Sequence, residues 1–128
     1  MTRKLVSSGS YLEPEIGFSR AVRVGSIIAV SGTAPIAEGG GTAAVGDLHG
    51  QTIRCLEIIK LALENAGAGT ENVIRTRVML TDITNWREAA RAHGAFFGAV
   101  RPASTFVQVS RFIEPEWLVE IEADAAIS

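Results

Sequence analysis

The chain has 128 residues, 47 % of them hydrophobic and 20 % charged, with a mean hydropathy of +0.23 and a formal net charge of −2. That length fits one domain spanning residues 1–128, which buries roughly two thirds of its unfolded surface and needs no disulfide staple. Twelve Lys and Arg against fourteen Asp and Glu leave no basic footprint for nucleic acid, and no segment reaches the roughly 18 apolar residues of a membrane span, so neither partner is expected.

The opening "MTRKLVSSGS" lacks the apolar run of a signal peptide. The single cysteine, Cys55, has no intramolecular partner. A reducing, cytoplasmic location is the expectation. "RKLV", Arg3 to Val6, is the first predicted strand, and "SSGSYLEPEIG" reads as a loop. "FSRAVRV" and "SIIAVSG" are two further strands joined at the tight-turn pair Gly25-Ser26. The unbroken run Ile27, Ile28, Ala29, Val30 predicts a strand buried on both faces. "TAPIAEGGGTAAVG" is a surface loop. Its triple glycine, Gly39 to Gly41, lacks a following Lys-Ser/Thr and a strand leading straight into it, so its pattern is that of a flexible loop and not of a phosphate cradle.

A helix follows, with Asp47 as N-cap. Thr52, Leu56, Ile59, Leu63 and Ala66 form its buried stripe, Cys55 and Ile58 widen it, and Gly67 is the left-handed stop. "NVIRTRVMLTD" is a strand with Ile74, Val78 and Leu80 toward the core and Arg75, Arg77 and Met79 away from it. Asn85 and Glu88 resemble a capping box, and Trp86, Ala89, Ala90, His93 and Phe97 stripe a second helix. Two strands close the chain. In "STFVQVS", Ser104, Phe106, Gln108 and Ser110 are assigned to the face away from the core. In "LVEIEADAAI", Glu120, Glu122 and Asp124 take that same face.

The order β-β-β-α-β-α-β-β, with one apolar stripe per helix, predicts an α+β two-layer sandwich with both helices on one side of the sheet. The opposite face mixes arginines and carboxylates. A solvated antiparallel face would look like this, and so would a wet subunit interface. Ten arginines against two lysines lean toward the interface, because the guanidinium suits partly buried pairing.

The chemical inventory is short. His49 and His93 have no metal-ligand spacing, and there is no nucleophile elbow. Glu120 and Glu122 lie on one face of one strand, about 7 Å apart. They would serve acid–base work, although solvated or paired carboxylates are commoner.

The segments "GFSRAVRVGSIIAVSGTAP", "GQTIRCLEIIKLALENAG", "VIRTRVMLTDITNWREA", "RPAST" and "LVEIEADA" follow one another in order. Together, over Ile16 to Ala125, they resemble the RidA/YjgF family, also called L-PSP endoribonuclease-like. The resemblance implies a chorismate-mutase-like fold with a mixed sheet. It also implies a homotrimer with small-molecule clefts between subunits, and no cofactor or metal. The activity it implies is hydrolysis of 2-imino or 2-enamino acids to 2-keto acids and ammonia. On it, Glu120 is the catalytic carboxylate, and Phe18, Ser31, Gly32, Ser104 and Phe106 bind substrate. The chain departs from the pattern at four positions. Ser104 stands where deaminases of this family carry a substrate-gripping arginine, Phe18 replaces a tyrosine, Ala90 an asparagine and Phe106 a cysteine. The cleft is therefore expected to be less cationic and more apolar. The leading expectation is a trimer that binds a small metabolite, with a different hydrolysis or none. A surviving deaminase and a non-catalytic structural trimer are the alternatives.

Overall fold

The computed structural model describes residues 2–128. In chain order the elements are β1 (Arg3–Val6), α1 (Leu12–Ile16), β2 (Ala21–Val24), β3 (Ile27–Thr33), α2 (Leu48–Asn65), β4 (Val73–Leu80), α3 (Trp86–Phe97), β5 (Ala103–Gln108) and β6 (Val119–Ala126). Single 3₁₀ turns at Thr70–Asn72 and Ile83–Asn85 precede β4 and α3. The six strands form one mixed sheet in the order β1-β2-β3-β6-β4-β5. Every pairing is antiparallel except β4 with β5. A parallel pair needs a crossover, and α3 supplies it. The fold is the expected α+β sandwich, with α2 and α3 packed on one face of the sheet.

The local chemistry of α2 explains its bounds. The Asp47 carboxylate accepts the Gly50 N–H at 3.1 Å, occupying an orphan donor of the first turn. At the other end Gly67 takes φ +89°. Its N–H donates to Glu64 O and that of Ala68 to Leu63 O, the paired bonds of a Schellman stop. Cys55, Leu56, Ile59 and Leu63 interlock with Ile28, Val30, Val78, Val119 and Ile121 of the sheet as the core. Burial drives the Cys55 thiol pKa far up, so it is an inert packing group.

Several expectations need correction. Part of the predicted first loop is α1, a helix too short for periodicity to reveal. Its start was nevertheless written in Ser10-Tyr11-Leu12-Glu13, a Ser-x-x-Glu signature in which the Glu13 carboxylate accepts the Ser10 N–H at 3.2 Å. β3 is not buried on both faces: Ile28 and Val30 enter the core, but Ile27 is 55 % exposed, because no layer covers the outer face within one subunit. In β4 a bulge between Val73 and Arg75 puts Val73 in the core and leaves Ile74, assigned to the core by alternation, 53 % exposed. Asn85 does occupy the N-cap position of α3 but makes no capping bond. Trp86 is exposed, and the buried line of α3 is Ala89, Ala92 and Phe97.

The face assignment of β5 is reversed. Thr76 and Val78 of β4 are buried under the helices, and the parallel register sets Ser104 beside Thr76 and Phe106 beside Val78. Ser104, Phe106 and Gln108 therefore lie on the helix side of the sheet. The alternation was read correctly but anchored to the wrong face, since β5 is an edge strand with little buried on either side.

Candidate functional site

The site starts from an irregularity in β3. Val30 pairs with Ala123 and Thr33 with Ile121, so Ser31 and Gly32 together oppose a single residue of β6. This bulge swings the Gly32 backbone toward Glu120. A Cβ at Gly32 would lie 2.9 Å from Glu120 Oε1, so glycine is what lets the carboxylate settle there. Beside it the Ser31 hydroxyl donates to Arg20 O at 3.1 Å.

Arg20 holds the bulge together. The side chain is only 3 % exposed. Its Nη1 donates to Ser31 Oγ at 3.1 Å, Gly32 O at 2.6 Å and Thr33 Oγ1 at 3.1 Å, and its Nε donates to Ser8 Oγ at 3.1 Å. Its guanidinium carbon lies 5.3 Å from the centre of the Phe18 ring, a cation–π distance. Behind it Glu13 accepts from Ser8 N, Ser8 Oγ and Ser10 N. Burial lowers the Arg20 pKa from its ordinary value, while Glu13 and Glu120 support the charge.

Phe18, Ser31, Gly32 and Glu120 line one cavity of about 250 Å³, with Arg20. Leu12 and Ile16 of α1, Ile113 and Trp117 make the rest of the wall largely apolar. Half-burial raises the Glu120 carboxyl above the usual range, with Arg20 opposing and Glu122 adding to the shift. No ion pair joins Arg20 to Glu120 among the described residues. A cation and a carboxyl group with a raised pKa thus line one small cavity without a direct ion pair. Four predicted residues are together, and the residue that pattern reading did not single out is the arginine among them. Nothing in "FSRAVRV" distinguishes buried Arg20 from Arg23; only the fold does.

Ser104 and Phe106 are not part of this cavity. On the helix side of β5, Ser104 Oγ accepts from the Thr76 hydroxyl at 2.7 Å, and Thr76 Oγ1 sits 2.8 Å from His93 Nε2. Phe106 meets the His93 ring edge-on, with centroids 5.8 Å apart. Burial lowers the His93 pKa, which favours the neutral ring of a satisfied core histidine. Among the described residues, no three His, Cys, Asp or Glu side chains cluster as a metal site, and no helix is long and apolar enough to cross a membrane.

The geometry has counterparts in known proteins. A RutC family protein of Pyrococcus abyssi is 34 % identical over 98 % of both chains. The 3-aminoacrylate deaminase RutC of Acinetobacter baylyi is 29 % identical over 99 % of this chain and all of its own. Among solved structures, a Mycobacterium tuberculosis member of the YjgF/YER057c/UK114 family is 43 % identical. It superposes with a TM-score of 0.89 over 98 % of this chain and 100 % of its own. The model of the endoribonuclease L-PSP family matches residues 9–127, and this chain belongs to that family, the RidA/YjgF family its motifs resemble.

Proposed function

We propose that this single-domain, cytoplasmic chain acts as a homotrimer whose inter-subunit clefts bind and hydrolyse a small carboxylate-bearing metabolite without metal or cofactor. The observation that carries this reading is the Arg20–Glu120 pair across one cavity. Arg20 offers a fixed positive charge to a ligand carboxylate, and the raised, half-buried Glu120 holds a water or a proton against the carbon beside it. The bare outer face of the sheet, with Leu5, Val24 and Ile27 exposed, supports assembly. In the trimer, the β5 edge of a neighbouring subunit, with Ser104 and Phe106, closes the cleft.

Arg20 also favours deaminase activity as the second reading, since the gripping charge sits at position 20 rather than 104. Water adds to the imine carbon of 2-iminopropanoate, the carbinolamine collapses, and pyruvate and ammonia leave. The relative named as a 3-aminoacrylate deaminase supports that chemistry here. RNA cleavage is less favoured, because no histidine lines the cavity.

The test is ammonia release from enzymatically generated 2-iminopropanoate by wild type and Glu120→Gln, with light scattering for mass. A trimer whose acceleration disappears in Glu120→Gln supports the deaminase reading. A rate equal to the protein-free control sinks that reading and leaves the other hydrolysis. A monomer sinks the shared cleft.

A further inference from the structure

A second cavity, about 690 Å³, adjoins the first at Arg20. Its walls come from the Ser8–Tyr11 segment, the β3–α2 loop, Arg54 and Ile58 of α2, and the turn at Glu114–Trp117. It shares Ser10, Arg20, Ala34, Ile36 and Trp117 with the cleft, so the two adjoin, but it contains none of Phe18, Ser31, Gly32 or Glu120. Its volume is in the range of small-molecule sites. We infer that it is a second ligand site, which takes the oxyanion group of a small metabolite against Arg54 and Arg20.

The loop over this cavity is built, not slack. Ile36 bridges to Thr42, Ala37 N–H donates to Gly41 O, Gly40 N–H to Ala37 O and Ala43 N–H to Pro35 O, all within 3.0 Å for the three hydrogen bonds. Gly39, Gly40 and Gly41 have φ of +82°, +105° and +77°. A Cβ at any of them would meet nothing within 4 Å. The backbone conformation demands the glycines, and their lack of side chains keeps the rim open.

Two guanidinium groups are set into the cavity with capacity to spare. Arg54 Nε donates to Ile36 O, which fixes the fork, and Nη1 is 3.6 Å from Glu57. Arg20 is fixed through Nε and Nη1. Among the described residues neither Nη2 has a hydrogen-bond partner, and no buried side-chain nitrogen is left unpaired, so each Nη2 keeps at least slight solvent contact. The lining also carries three carboxylates, of which Glu114 is half-buried. Glu114 accepts from the Tyr11 hydroxyl at 2.9 Å, and Glu38 and Glu116 are exposed. Solvent screens exposed rim charges more than the buried Arg20 and the half-buried Arg54. One compact oxyanion fits that field, while a polyanion would meet the acidic rim.

This inference shares Arg20 with the proposed cleft but does not depend on Glu120 or on any chemistry there. Its test is calorimetric titration of the full-length protein with inorganic phosphate and, separately, with succinate. The variants are Arg54→Gln, Ala37→Glu and Glu120→Gln, each with a circular dichroism spectrum. Saturable binding of at least one probe is expected. Arg54→Gln and Ala37→Glu should weaken it about tenfold or more, the scale of one charge-assisted bond, with Glu120→Gln unchanged. Preference between the probes identifies a phosphorylated or a carboxylated metabolite. No saturable binding of either probe overturns the inference. So does binding that folded Ala37→Glu and Arg54→Gln retain, and so does binding lost only in Glu120→Gln, which would assign the anion to the cleft.

Discussion

Glu120 and Glu122 are two residues apart on β6 and point to the same face, yet their environments have little in common. Glu122 faces Arg77 across the β4–β6 register and pairs with it, both side chains substantially exposed. Glu120 faces Met79, lies under the Gly32 bulge, has no ion pair among the described residues and holds its proton more tightly than usual. Strand position gives both carboxylates the same direction. The bulge one strand away decides that one is a surface ion pair and the other a functional candidate.

The most damaging change to this contrast is removal of the bulge's anchor. Arg20→Met leaves the Gly32 carbonyl and the Ser8, Ser31 and Thr33 oxygens without their donor and leaves Glu13 without its nearby cation. Loss of one member of a buried charged network costs about 3–5 kcal/mol. Urea unfolding should show that loss, and any ligand affinity of the cleft should fall with it. A loss below about 1 kcal/mol, typical of surface pairs, would mean that the bulge holds without Arg20.

Next is Gly32→Ala. The new methyl would stand 2.9 Å from Glu120 Oε1, and the carboxylate, at the end of a flexible side chain, gives way. Stability should change by less than about 1 kcal/mol. On the deaminase reading, turnover in the ammonia assay should drop about tenfold or more, since a displaced carboxylate would no longer meet the reacting atoms. Equal loss of stability and activity would make Gly32 a packing residue only.

The sequence made the scaffold legible because its signals are periodic. The α2 stripe, Asp47 and Gly67 each carry a local physical meaning that the fold preserves. Phe18, Ser31, Gly32 and Glu120 could be grouped only by resemblance, and they do meet. The unseen parts depend on register. A bulge shifts Ile74 outward, an edge strand gives no apolar cue for the face of Ser104, and Arg20 reads like any strand-flanking arginine until the Ser31–Gly32 bulge closes over it. Alternation predicts faces only while pairing is regular. Functional geometry in this sheet begins where pairing stops being regular.

The smallest effects sharpen the contrast most. Glu122→Gln removes an exposed pair, and urea unfolding should register less than about 1 kcal/mol, shrinking further in high salt. Glu120→Gln should behave differently with pH. The folded-state pKa of Glu120 is raised, so the unfolded chain releases this proton first. Wild-type stability from this group is fully present below the ordinary carboxylate value and is lost as pH rises through the raised one. The non-titrating glutamine avoids that loss. Glu120→Gln should therefore gain on wild type as pH climbs through that window, and the gap should stay constant above it. A pH-independent gap would mean that Glu120 is solvated like an ordinary surface carboxylate. A large, salt-insensitive loss in Glu122→Gln, together with dissociation, would mean that the Arg77–Glu122 pair is buried between copies of the chain, because a charge stranded in an interface costs far more than one stranded in water.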